Sequence, residues 1–197
     1  MSIIIAYAHD GVTHFATTTR FVIDGIKHTE TAESNFKIKK LSNGLLVGAA
    51  DDMKFSQMVL ARAEDIFTLT RSGNLTKEHV IRCVLPKLFA FIKRNGLLDQ
   101  KAFSKSALVL DGDIIMAHGG TILHIQKESM CVNRYTKYVA IGNSDCFATG
   151  ALAQVDTSKD IDAQLVDILR AASTVSEKIA APYLTINTRD MKYCLED

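Results

Sequence analysis

The first residues of the sequence contain a group that can do acyl chemistry without help from another side chain. Met1 is followed by Ser2, and a methionine before such a small residue is one that methionine aminopeptidase removes. Once Met1 is gone, Ser2 carries a hydroxyl and a free α-amine whose ordinary pKa is about 7.7 to 8.0. One residue then holds a nucleophile and its own general base, so we predict a serine that can attack a carbonyl carbon.

Other patterns of catalytic and ligand-binding residues are missing from the sequence. It has no GxGxxG, Walker, HExxH or GxSxG motif. Its 6 histidines form no pair at metal-ligand spacing, and its 4 cysteines follow no CxxC pattern. We therefore expect no metal, no nucleotide and no other cofactor.

The composition is that of an ordinary globular chain. The chain has 197 residues, of which 47% are hydrophobic, and 23 Lys+Arg against 22 Asp+Glu give a formal net charge of +1. Such a chain can form one core, so we predict a single domain over residues 1–197. The balanced charge argues against nucleic-acid and membrane-surface partners, and the apolar run at residues 3–8 is too short to span a bilayer. We expect a cytoplasmic protein.

Strand patterns dominate the start of the chain and return in its second half. Asp10-Gly11, Asn43-Gly44 and Asp111-Gly112 separate successive β-branched runs, and such pairs supply the positive φ angles of hairpin turns. Gly119-Gly120 precedes a further run. The predicted strands cover residues 3–8, 12–19, 36–41, 45–49, 106–110, 114–117, 121–125, 138–141 and 183–187.

Between the strand blocks the apolar residues recur every three to four positions, which predicts helices over residues 55–67, 80–92, 147–155 and 161–179. Asp51 or Asp52 is placed to cap the first of these helices. Pro86 must kink or divide the second, because it has no N–H to donate. Blocks of strands and helices segregated in this way predict an α+β fold in which two antiparallel sheets lie between two helix pairs.

Taken together, the segments of this chain resemble those of proteasome β subunits and HslV-type peptidases, which are N-terminal-nucleophile hydrolases with a four-layer αββα sandwich. The resemblance lies in the order and spacing of short segments across nearly the whole chain. The matching segments are residues 2–5 with 10–12, 17–20, 36–38, 48–52, 138–143, 148–151 and 183–188.

The resemblance implies roles for several residues. Ser2 falls where the family has its N-terminal threonine, and Lys37 falls on the family's catalytic lysine, whose charge favours the neutral form of the nearby amine. Thr18 stands where the family has an aspartate that pairs with this lysine. A threonine hydroxyl can accept a hydrogen bond from Lys37 but brings no negative charge. Asn143 replaces a serine beside the active site, and Ala181 lies at the approximate place of a further aspartate.

Asp51 is the most consequential departure, because it stands where the family has the glycine whose N–H forms the oxyanion hole. The N–H is retained, but a carboxylate about 4 Å from a developing oxyanion repels it by about 4 kcal/mol at an effective dielectric of 20. One oxyanion-hole donor is worth about 2.7 to 4 kcal/mol. An inward Asp51 side chain therefore cancels the hole, whereas one that caps the following helix or pairs with Lys37 preserves it.

The resemblance implies a peptidase that hydrolyses amide bonds of peptide or protein substrates through Ser2. It also implies self-assembly into a homo-oligomeric ring that can be served by an ATP-dependent unfoldase. Two alternatives remain open from the residues. One is a catalytically inactive ring or scaffold subunit, which the departures at Thr18, Asp51, Asn143 and Ala181 permit. The other is a small-molecule amidase of the same fold.

Overall fold

Strands and helices contribute about equally to the secondary structure of the computed structural model. It describes residues 3–23, 26–29, 33, 36–97, 110–177 and 179–196. The strands are β1 (Ile3–His9), β2 (Val12–Thr18), β3 (Arg20–Ile23), β4 (Ile26–Thr29), β5 (Ile38–Lys40), β6 (Leu46–Ala49), β7 (Ile114–His118), β8 (Thr121–Ile125), β9 (Val132–Tyr135), β10 (Tyr138–Gly142), β11 (Tyr183–Asn187) and β12 (Cys194–Glu196).

These strands form two five-stranded sheets and a separate hairpin. The first sheet has the order β10-β1-β2-β11-β12 and the second the order β5-β6-β7-β8-β9, and every pairing is antiparallel. Among the described strands, β3 and β4 pair only with each other. The helical segments are α1 (Met53–Ala61), α2 (Ala63–Ile66), α3 (Lys77–His79), a π-helical turn (Val80–Val84), α4 (Leu85–Asn95), α5 (Asp145–Leu152) and α6 (Ile161–Val175).

Three buried apolar clusters show how the layers stack. One cluster, with Ile4 and Ile115, lies between the two sheets. A second, with Val47 and Val59, lies between the second sheet and the helices of residues 53–95. A third, with Ile5, joins the first sheet to α5 and α6. The fold is therefore the predicted α+β sandwich of four layers, αββα.

The first two predicted hairpins are present, and the third is not. Asp10 and Gly11 turn between β1 and β2 with φ angles of 46° and 74°, as the Asp-Gly pair requires. The loop that contains Gly44 joins β5 to β6. The prediction of a hairpin at Asp111-Gly112 is wrong. Strand β7 pairs with β6 on one side and with β8 on the other, so it has no free edge for a strand that ends at Leu110. Of its predicted partner strand, residues 106–109 lie outside the described residues.

The helices follow the sequence pattern, with local adjustments. Asp52 caps α1 by accepting a hydrogen bond from the Phe55 N–H at 2.8 Å. Pro86 lies in the first turn of α4, directly after the π-helical turn. The backbone stays helical through Val84 and Leu85, so the proline changes the hydrogen-bond pattern of the predicted helix and does not divide it. No helix among the described residues is long and apolar enough to cross a bilayer.

Candidate active site

Ends of strands from both sheets meet at one edge of the sandwich. In the first sheet β1 begins at Ile3, whose register partner is Gly142 at the end of β10. Ile4 pairs with Thr17 near the end of β2, and the Thr17 hydroxyl donates to the Ile3 carbonyl at 2.6 Å. Ser2 lies outside the described residues, and the residue that follows it in the chain is Ile3. The start of β1 is thus flanked by the ends of β2 and β10.

Lys37 connects the two sheets at this edge. It precedes β5 of the second sheet, and its Nζ donates to the carbonyl oxygens of Thr18 at 2.6 Å and of Arg20 at 2.7 Å. The sheets approach closely nearby, because a Cβ added to Gly48 would lie 3.1 Å from Cδ1 of Ile4. The half-buried Lys37 side chain therefore places its ammonium group beside the end of β2, whose Thr17 is the register partner of Ile4 in β1.

The Thr18 side chain contacts the main chain. Its hydroxyl donates to the Ala180 carbonyl at 2.5 Å and accepts from the Arg20 N–H at 3.0 Å. Thr18 is fully buried. The expectation that this hydroxyl receives the Lys37 hydrogen bond is corrected, since the acceptor is the Thr18 carbonyl. The residue does help to hold Lys37, but through its backbone.

Asp51 follows β6 in a strained conformation. Its φ of 81° lies in the left-handed region that favours glycine. Its carboxylate accepts a hydrogen bond from Lys127 Nζ at 2.7 Å. The hypothesis that Asp51 pairs with Lys37 or caps α1 is corrected, because Lys127 binds its carboxylate and Asp52 caps the helix. Among the described residues no acceptor contacts the Asp51 N–H, although the neighbouring N–H groups of Ala50 and Asp52 are both bonded.

Sequence reasoning missed the group that surrounds Lys127. Oδ1 of Asp113 accepts a hydrogen bond from the Lys127 N–H at 2.9 Å and lies 2.8 Å from Nε2 of His124. The pair of Asp113 and His124 is buried, and Nδ1 of His124 has no hydrogen-bond partner among the residues that the structure describes. The hydrogen bond to Asp51 raises the pKa of Lys127. No local motif signals this group, because Asp51 and Lys127 are 76 positions apart.

Asp113 makes the stability of the protein sensitive to acid. Burial raises the pKa of its carboxyl, but the hydrogen bonds from His124 and Lys127 and their charges outweigh burial and lower the pKa below its ordinary value. A lowered folded-state pKa adds stability above the unfolded value, about 3.9, and that stability is lost as the pH falls through the folded value.

We expect Asp113→Asn to reduce the free energy of unfolding by about 2 kcal/mol at pH 7, and the deficit to shrink as the pH falls below about 4. Urea unfolding of both proteins between pH 7 and pH 3 measures the difference. Asp167→Asn is the control, because Asp167 forms an exposed ion pair with Arg170. A stability difference between Asp113→Asn and wild type that stays constant from pH 7 to pH 3 would contradict the lowered pKa of Asp113.

Asn143 lies on the other side of the start of β1. Its amide donates to the Ser176 hydroxyl at 2.7 Å, which ties the end of β10 to the end of α6. The turn is tight, with φ angles of 91° at Gly142 and 63° at Ser144. Asn143 therefore positions this turn. Ser176 was not identified from the sequence.

Two cavities open between the second sheet and β10. One, of about 220 Å³, is lined by Asp113, His124, Lys127, Ile141, Gly142 and Asp145. The other, of about 610 Å³, shares His124 and Asp145 and extends along Tyr135 and Tyr138. The smaller cavity connects Gly142, the register partner of Ile3, with Lys127. Across the part of the chain that the structure describes, no cluster of three or more His, Cys, Asp or Glu is placed to hold a metal ion.

In comparisons with known proteins, no family profile and no curated sequence matches this chain. Solved structures do. BPH of Thiobacillus denitrificans superposes with a TM-score of 0.73 at 20% identity, covering 94% of this chain and 96% of that one. The structure of the same protein in complex with epoxomicin gives a TM-score of 0.71 at 20% identity, covering 94% of this chain and 97% of that one.

Two further structures are similar. Eukaryotic HslV from Trypanosoma brucei gives a TM-score of 0.62 at 16% identity, with 94% of this chain and 98% of that chain covered. Anbu, the ancestral beta-subunit from Yersinia bercovieri, gives a TM-score of 0.70 at 12% identity, covering 98% of this chain and 86% of that one. At these identities the likeness concerns the fold. This chain has the proteasome-type N-terminal-nucleophile hydrolase fold that BPH, HslV and Anbu share, as its sequence segments predicted.

Proposed function

We propose that this protein is an amide hydrolase of the proteasome and HslV type, in which removal of Met1 exposes Ser2 as the nucleophile. The observation that carries the proposal is the Lys37 ammonium group, which contacts the Thr18 and Arg20 carbonyls beside the start of β1. A positive charge at this place disfavours protonation of a nearby α-amine, so the amine is available as a base.

The reaction proceeds by acyl transfer in two steps. The α-amine of Ser2 takes the hydroxyl proton as Oγ bonds to the substrate's carbonyl carbon, and the oxyanion accepts a hydrogen bond from the Asp51 N–H. The C–N bond then breaks, and the proton passes to the leaving amine. Water attacks the resulting ester, and this second step releases the carboxylic acid product and restores the Ser2 hydroxyl.

The substrates that this proposal assigns are peptides or unfolded proteins. By likeness to HslV and Anbu, we further propose that copies of the chain assemble into a ring whose interior contains the site, with an ATP-dependent unfoldase as a partner. Light scattering of the purified protein tests the assembly directly. A mass of several chains is expected, and a monomer would contradict the ring.

A catalytically inactive ring or scaffold subunit is the second candidate function. The observation that favours it is the Thr18 side chain, whose hydroxyl contacts the Ala180 carbonyl and brings no negative charge beside Lys37. A scaffold needs the fold and the ring surfaces but not the acyl chemistry. The two candidates differ in one property, which is whether Ser2 reacts.

Intact-mass measurement decides between the two candidates. The purified protein is weighed before and after exposure to a β-lactone, which acylates hydroxyl groups. We expect a mass that lacks one methionine, followed by a single lactone adduct that is absent in Ser2→Ala. Prior incubation with epoxomicin, the compound found in complex with BPH, should block the adduct. A retained methionine, or no adduct on a folded protein, would support the scaffold.

A further inference from the structure

The residue that supplies the proposed oxyanion donor also carries a negative charge. Within the described part of the chain, Asp51 has the one N–H without an acceptor in a run of three, since Ala50 donates to the Asp113 carbonyl at 3.0 Å and Asp52 to the Asp111 carbonyl at 3.3 Å. The Asp51 side chain is only 18% exposed, so water screens its carboxylate poorly. Asp51 therefore offers an oxyanion a hydrogen bond from its N–H and repels the same oxyanion through its carboxylate, unless a positive charge neutralises that carboxylate.

Lys127 provides that charge from a rigid position. Its own backbone is held on both sides, because its N–H donates to Oδ1 of Asp113 at 2.9 Å and its carbonyl accepts from the Leu110 N–H at 2.9 Å. Asp113 also accepts from the Ala50 N–H through its carbonyl. The segment that carries Lys127 and the segment that carries Asp51 are thus bonded together through Asp113.

The geometry points to Lys127 as a positioning residue: its ammonium group, 2.7 Å from Oδ2 of Asp51, holds and neutralises that carboxylate so that the Asp51 N–H can serve an oxyanion. This inference rests on the proposed function. Lys127 lines the same 220 Å³ cavity as Gly142, the register partner of Ile3 at the start of β1. It acts through Asp51 and has no assigned contact with the substrate.

The predicted consequence is a dependence of the reaction on the Asp51–Lys127 pair. Lys127→Met keeps the length of the side chain and removes its charge, so the carboxylate is released beside the oxyanion. We expect the β-lactone to acylate Ser2 about 100-fold more slowly in this variant, which is the loss of one oxyanion-hole donor. Lys127→Arg retains the charge and should recover most of the rate.

A second substitution separates this role from a loss of folding. Asp51→Asn removes the carboxylate and retains a residue type that tolerates a positive φ. In the double variant Asp51→Asn with Lys127→Met, the acylation rate should return to that of Asp51→Asn alone, because no charge is left to neutralise. The control is Lys159→Met, which breaks an exposed ion pair with Asp156 and should not change the rate. Thermal unfolding of each variant is recorded in parallel.

The outcomes distinguish this inference from the proposed function. Slow acylation in Lys127→Met with recovery in the double variant supports the positioning role. If the wild-type protein reacts but Lys127→Met reacts equally fast, or the double variant stays slow, the positioning role is overturned and the hydrolase stands. If only variants lacking the Asp51 carboxylate react, Lys127 does not neutralise it and the inference fails. If no variant reacts, the proposed function fails and the positioning role with it.

Discussion

Replacement of Lys37 by methionine should slow acylation of Ser2 by about 100- to 1,000-fold, the range seen when one preorganised electrostatic group is removed. The Lys37 ammonium group is held by two carbonyl oxygens at 2.6 and 2.7 Å, so its position beside the start of β1 is fixed before the substrate arrives. Its loss should also shift the pH–rate profile to higher pH by about one unit, because the α-amine is then protonated more readily.

The rate and the pH profile are measured together by β-lactone acylation between pH 6 and pH 9. Lys39→Met is the matched control, because Lys39 Nζ also donates to a main-chain carbonyl, that of Leu60 in α1 at 3.0 Å. The control should acylate within a few-fold of wild type with an unshifted profile. Two results would show that Lys37 acts only in folding. One is an equal loss of acylation rate in both variants, and the other is slow acylation of Lys37→Met with an unchanged pH–rate profile.

Gly112→Ala should reduce the free energy of unfolding by about 3 kcal/mol, at the upper end of the range for overpacking a core. A Cβ at this buried position would lie 2.2 Å from the Ala50 carbonyl oxygen and 2.8 Å from Cδ1 of Phe55. Ala50 cannot yield easily, because its N–H is bonded to the Asp113 carbonyl. The backbone of the adjacent Asp51 must therefore shift, and any acylation activity should fall along with stability.

Gly150→Ala is the control for this substitution. Gly150 is exposed within α5, and a Cβ added there meets no atom within 4 Å. Alanine in a helix interior is more stable than glycine by about 0.5 to 1 kcal/mol, so this variant should gain stability. Urea unfolding of Gly112→Ala, Gly150→Ala and the wild type measures both changes in the free energy of unfolding. A Gly112→Ala protein as stable as wild type would contradict the close packing of Gly112 against the Ala50 carbonyl and Phe55.

The strands that sequence reasoning missed share a physical feature. β9 and β12 lie at sheet edges, and β3 pairs with β4 in the separate hairpin. Edge strands need backbone pairing but not an apolar residue at every second position, so they lack the alternation that identifies a half-buried strand. Asn133 and Arg134 in β9 illustrate this composition.

The false hairpin at Asp111-Gly112 shows a different limit. The same dipeptide type that turns the chain at Asp10-Gly11 here serves close packing, because Gly112 lies against the Ala50 carbonyl. A glycine needed for a positive φ and a glycine needed for space look identical in a sequence.

The sequence alone determined the layers of this protein, because strand and helix periodicity place the apolar residues of each element on the face that must be buried. The order of its segments also predicts catalytic roles for Ser2 and Lys37. Only the tertiary structure decided the hydrogen-bond partners at the site, such as the Thr18 carbonyl for Lys37 and the Lys127 ammonium group for Asp51. Such contacts join residues that are distant along the chain. They depend on strand register and on how the two sheets stack, and neither leaves a local pattern in the sequence.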